Sequence, residues 1–138
     1  MAPADGRRGP VTAIEVMSAK HLGIDDVRPV LDSLQAKDLL VLTGAGDAET
    51  WTFRSDLVRE VAYSTLTKAE RARSHQGIGL WIEAHEDLER DAVVDRVTFH
   101  YVRAAELANE LGPVDGLLPD LEERALRWVE TAAARAAP

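Results

Sequence analysis

The alternation of apolar and polar positions changes period most sharply between residues 50 and 63. Trp51 and Phe53 alternate with Thr50, Thr52 and Arg54, a period of two that predicts a strand. From residue 57 the period becomes helical, with Leu57, Val58, Val61 and Ala62 on one face and Ser55 or Asp56 placed to cap the start. Upstream, residues 39–43 form a nearly continuous apolar run, and the glycine-bearing stretch 44–49 separates the two runs as a turn. Together they predict a two-stranded wing. Before the wing, Val27, Val30, Leu31 and Leu34 follow the i, i+3, i+4, i+7 rule, with Asp25 and Asp26 as N-caps and Pro29 in the first turn, so a helix is expected to end near Asp38. Residues 11–19 can form a short helix with Ile14 and Met17 on one side, stopped by Gly23. Residues 1–10 carry no periodic apolar pattern and read as a disordered arm.

After the wing the helical period dominates. Thr67 and Glu70 spell a capping box that opens a helix with Ala72, His75, Ile78, Gly79 and Ile82 along one face and Trp81 at its edge, ending near His85. An acidic loop at residues 86–90 follows. From 91 to 111 the positions Val94, Val97, Tyr101, Ala104, Ala105, Ala108 and Leu111 hold register for about five turns, and Gly112-Pro113 ends the helix. Pro119 suits the first position of a last helix whose stripe is Leu121, Ala125, Trp128, Val129, Ala132 and Ala136.

Composition narrows the function classes. Apolar residues make up 46% but aromatics only 5%, which favours close helix packing over a thick sheet sandwich. The net charge is −8 and the pI about 4.9, so a nucleic acid or an anionic membrane meets a repulsive mean field. Cysteine is absent, which excludes disulfides, thiolate metal sites and thiol catalysis. No apolar run of about 18 residues and no secretion-signal core occur, so the chain reads as cytoplasmic, without a membrane partner.

Candidate chemistry is sparse. A winged helix invites DNA binding, yet the helix before the wing sets Arg28 and Lys37 against Asp26, Asp32 and Asp38, and the wing tip carries Asp47 and Glu49, which makes nucleic acid an unfavourable partner. Gly44-Ala45-Gly46 lacks the Lys-Ser/Thr of a phosphate loop and leads into a strand, so it is a turn. His75 and His100 lie on or beside apolar stripes, but neither has a second ligand at i+3 or i+4; they read as hydrogen-bonded core histidines, and His21 and His85 as helix-end residues. The carboxylates Glu86, Asp87, Glu89, Asp91, Glu122 and Glu123 fall in loops or on solvated faces and do not specify an acid-base pair. No catalytic or metal-binding set is expected.

Five stretches together carry a family resemblance: V-L-D-S-L-Q-A-K-D-L-L at 30–40, F-R-S-D-L-V-R-E-V-A-Y at 53–63, A-E-R at 69–71 with His75, Ile78, Trp81 and Ile82, H-Y-x-x-A at 100–104, and A-L-x-W-x-x-x-A at 125–132. They resemble the bacterial signal-transduction ATPases of the STAND class, particularly those fused to class III nucleotide cyclases or to response-regulator-type DNA-binding domains. The resemblance spans residues 11–136 and implies a mainly α chain. A truncated winged helix with one β-hairpin would occupy residues 11–66, and antiparallel helical hairpins that begin a tetratricopeptide-like array would occupy 67–138. It further implies a parent ATPase core holding ATP or ADP with magnesium, of which this chain would be an excerpt without cofactor of its own. In that family a nucleotide-sensing histidine occupies the position of Ser55, whose hydroxyl can donate a hydrogen bond but cannot carry imidazolium charge. Arg59 and Glu60 follow the family pattern and would tie their helix to neighbouring elements, and Tyr63 would pack against the next helix.

The function implied is a non-catalytic interaction and transmission module that couples nucleotide state to a protein partner or output domain. The alternative is a small winged-helix DNA-binding regulator. Faces of helices 11–19 and 119–136 left without neighbours are expected to stay exposed or to form a homodimer.

Overall fold

A computed structural model of the chain describes residues 28–43 and 50–138. Among these described residues are five helices and one antiparallel hairpin, so the protein is mainly α with a β-hairpin. The elements are α1 (Arg28–Ala36), β1 (Leu40–Thr43), β2 (Thr50–Phe53), α2 (Asp56–Ser64), α3 (Lys68–His85), α4 (Asp91–Leu111) and α5 (Leu121–Ala136). The arm at 1–10, the helix expected at 11–19, the caps Asp25 and Asp26, His21 and the turn at 44–49 lie outside the described residues. The chain divides into two compact units, Met1–Thr65 and Leu66–Pro138.

In the first unit the strands pair with Leu40 opposite Phe53 and Leu42 opposite Trp51. The pleat places Leu40 and Trp51 on the covered side, where they meet Leu31 of α1, with Leu34 and Leu42 packed at the margin. α1 stops at Ala36, two residues short of the expected end near Asp38. The reason is backbone chemistry: Asp38 adopts φ 65°, and the amides of Asp38 and Leu39 donate to the carbonyls of Gln35 and Leu34, closing a Schellman turn. That turn aims the chain straight into β1. α2 is capped at Ser55, whose hydroxyl accepts from the Val58 amide at 3.2 Å. None of the residues of α2 is buried; Leu57 is 69% and Val61 56% exposed.

The second unit is a three-helix arrangement in which α4 packs against both α3 and α5. The capping box at the start of α3 forms as its sequence predicts. The Thr67 hydroxyl accepts from the Glu70 amide at 3.1 Å, and the Glu70 carboxylate accepts from the Thr67 amide at 2.8 Å. The core is built from Ile82 of α3, Val93, Val97, Tyr101 and Ala104 of α4, and Leu121 and Ala125 of α5.

Three expectations need correction here. Leu107 and Val93, not Leu111, complete the buried face of α4, and Leu111 is exposed. The Lys68–Glu110 ion pair sets the first residue of α3 level with the last turn of α4, so Leu111 runs past the helix that would have covered it. The last helix begins at Leu121 and not at Pro119, because the Asp120 carbonyl is the first to accept an intrahelical bond, from Arg124. Of its expected stripe only Leu121 and Ala125 are buried; Trp128 and Ala132 are half-covered, and Val129 and Ala136 are exposed. Among the described residues no helix is long and apolar enough to cross a membrane.

Candidate functional site

The second unit gathers its ionisable and polar side chains along one side of α3, where Ala72, Gln76, Gly79 and Glu83 follow each other at helical spacing. Gly79 admits the ring of Tyr101: a Cβ at position 79 would sit 2.9 Å from Tyr101 Cζ and 3.0 Å from both Cε atoms. The ring therefore lies flat against the α3 backbone, and its hydroxyl reaches over to donate to the Glu83 carboxylate. Arg124 of α5 donates to the same carboxylate at 3.2 Å, and its guanidinium carbon lies 5.8 Å from the Tyr101 ring centre. One carboxylate thus joins three helices. Burial, with the hydrogen bond and charge of Glu83, pushes the Tyr101 hydroxyl well above the usual tyrosine range, so it stays protonated and donating. Arg124 Nε is buried without a hydrogen-bond partner, which leaves this guanidinium held by its two terminal nitrogens.

One turn back, Gln76 holds the connection between α4 and α5. Its amide nitrogen donates to the Gly116 carbonyl at 3.1 Å and its amide oxygen accepts from the Leu118 amide at 2.7 Å. Arg73 adds a bond to the Asp115 carbonyl at 3.2 Å. A single glutamine side chain satisfies both a donor and an acceptor of a loop that has no sheet or helix partner of its own. Gly116, at φ +91°, makes the bend that brings those two backbone groups into line.

The two histidines singled out in the sequence do meet. His75 Nδ1 lies 2.9 Å from His100 Nδ1, so one ring donates and the other accepts, and the two are neutral and of opposite tautomer. Phe99 stands edge-on to both rings. Burial lowers His75 to about 4, with the charge of Arg103 acting the same way. Burial also lowers His100 to about 4, helped by His75 and Arg96. Among the described residues no group of three or more His, Cys, Asp or Glu side chains converges as a metal site would require. His85 closes α3 by donating from Nδ1 to the Trp81 carbonyl at 2.9 Å, its ring stacked on the indole at 4.5 Å.

The remaining candidates are placed as follows. Ser55 is exposed and its hydroxyl oxygen is engaged as the cap of α2. Arg59 pairs with Asp56 inside that helix at 3.8 Å, while Glu60 is exposed and Tyr63 half-covered. The carboxylates at the α3–α4 turn are not all solvated, contrary to expectation. Glu86 is 13% exposed and accepts from both terminal nitrogens of Arg96, because that forked pair fixes the turn against α4. Asp91 accepts from Arg135 Nε at 2.8 Å, linking the start of α4 to the end of α5. Beside that pair a shallow hollow of about 130 Å³ is lined by Asp91, Val94, Asp95, Ala132, Arg135 and Ala136.

Sequence reasoning missed Gln76, Glu83, Arg124 and the role of the Tyr101 hydroxyl. The signal was present: Gln76 and Glu83 interrupt a small-residue stripe at i+4 and i+11 from Ala72, and polar residues on a buried face need partners. What the cluster does chemically is brace. Its donors and acceptors face one another across helices. Compared with known proteins, the chain matches no family model, no curated protein and no solved structure.

Proposed function

We propose that this chain is a cytoplasmic, non-catalytic helical interaction and transmission module of a STAND-type ATPase regulator, coupling the nucleotide state of a parent core to a protein partner or output domain. The observation that carries the reading is how the second unit spends its polar groups. Tyr101, Glu83, Arg124, Gln76, His75 and His100 all bond to one another or to a neighbouring loop, which leaves them holding helices together. The apolar residues that stay outside, Leu57 and Val61 on α2 and Leu126 and Val129 on α5, are in turn surfaces for contact.

Winged-helix geometry for the first unit and a tetratricopeptide-like continuation for the second fit the hairpin handing over to a Ser55-capped helix and the antiparallel run of α3 to α5. ATP, ADP and magnesium belong to the parent core in this reading, and Ser55 serves its helix. Calorimetric titration of the purified chain with ADP and with magnesium-ATP, and a duplex-DNA shift at low ionic strength, test it together. No heat and no shift are expected. Micromolar ADP binding by the chain alone, or salt-sensitive duplex binding, overturns it.

A further inference from the structure

We propose that the outer face of α5, with the adjoining edge of α4, docks a positively charged amphipathic helix from a partner protein. The proposal rests on the interaction-module reading and names the chemistry of the partner. On α5, Leu126, Val129 and Ala133 recur at i, i+3 and i+7, turned away from the buried pair Leu121 and Ala125. Leu126 is 56% and Val129 41% exposed, in a helix whose other face is already committed to α4. With Glu122 one turn before Leu126, the row runs about 17 Å, the length of three turns of helix.

The border of that row is acidic. Glu122, Glu123 and Glu130 are exposed on α5, and Asp95 of α4 is exposed beside the hollow that Ala132 and Ala136 line. The cations of α5 already have anions: Arg124 is held by Glu83 and Asp120, Arg135 by Asp91, and Arg127 lies 4.0 Å from Asp120. An apolar row between uncompensated carboxylates matches a helix with leucine-like anchors flanked by lysine or arginine. It does not match a second copy of the chain, because antiparallel pairing about Val129 would set Glu130 beside its own counterpart in a protein of net charge −8.

The test uses the full chain and two synthetic helical peptides, one with leucines at i, i+3, i+4 and i+7 flanked by lysines, the other identical except for glutamates in place of the lysines. Fluorescence anisotropy is read at ~20 and ~150 mM salt. The lysine peptide should bind, more weakly at the higher salt, and the glutamate peptide should not. Leu126→Ser with Val129→Ser should weaken binding at least ~10-fold, and Glu122→Gln with Glu130→Gln ~3-fold or more with a flatter salt dependence. All four sites are exposed, so thermal melting by circular dichroism should stay at the wild-type value. Equal binding of the two peptides, or wild-type affinity in the serine pair, overturns the proposal. A dimer in light scattering that the serine pair dissolves also overturns it, since a second copy would then own the face. Failure of the lysine peptide without any ADP or duplex binding sinks this proposal alone; ADP affinity sinks the module reading beneath it.

Discussion

Replacing Gly79 by alanine separates a local from a tertiary view of α3. In an exposed helix interior the change stabilises by about 1 kcal/mol, because alanine loses less backbone entropy. Here the new methyl would stand 2.9 to 3.0 Å from three carbons of the Tyr101 ring. That ring cannot swing aside: it is fully buried among Val97, Ala104 and Ile82, and its hydroxyl is tied to Glu83. Relief requires α3 and α4 to separate by several tenths of an ångström or the Tyr101 bond to break, and overpacking of this kind costs about 1–3 kcal/mol. Subtracting the helix-propensity gain of about 1 kcal/mol, Gly79→Ala should destabilise by up to about 2 kcal/mol. Urea unfolding followed by far-ultraviolet circular dichroism reads this as a lower midpoint at unchanged slope. In a Tyr101→Leu background the methyl meets no ring, and the same substitution should become stabilising by about 1 kcal/mol, a coupling of about 1–3 kcal/mol. A Gly79→Ala variant that is more stable than the parent in both backgrounds refutes the reasoning.

Further outcomes follow from the histidine pair and the α2 cap. Folding holds His75 and His100 neutral, at about 4 against an ordinary 6.5, so the unfolded chain binds more protons between those values. Their contribution is therefore whole above pH 6.5 and is lost as pH falls toward 4. It amounts to at most about 3 kcal/mol for either ring, and to less than twice that together because part of the His100 shift is the charge of His75. Urea midpoints measured from pH 7 to 4 should drop, and a His75→Gln/His100→Gln variant should flatten the slope in that window. Ser55→Ala should cost about 1 kcal/mol of local stability in α2, read as faster amide exchange at residues 56–64, while Ser55→Asp should preserve the cap.

How much of this was legible in the sequence depends on whether the signal was local. The two strands of the hairpin, the Thr67 capping box and the bounds of α4 were readable because alternation, a four-residue box and a glycine stop are each settled within a few residues. The Schellman turn at Asp38 was not, since the sequence offers aspartate where glycine is the usual mark. The start of α5 slipped from Pro119 to Leu121 because proline fits a turn as well as a first helical position. The His75–His100 pair was legible as two stripe residues but not as a contact. The Tyr101–Glu83–Arg124 brace was illegible as a set, because its members lie 18 and 41 residues apart and meet only when three helices pack.

The central claim, that this polar cluster braces the three helices, is tested most directly by the stability of Glu83→Gln. As a brace, Glu83 accepts from both Tyr101 and Arg124 at a site where its side chain is 25% exposed. Removing its charge should lower the unfolding free energy by about 1–3 kcal/mol, the worth of charge-assisted hydrogen bonds discounted for partial exposure. Residues held for binding or catalysis behave in the opposite sense, their loss leaving stability unchanged or raised. A Glu83→Gln protein with a urea midpoint at or above that of the parent would contradict the account.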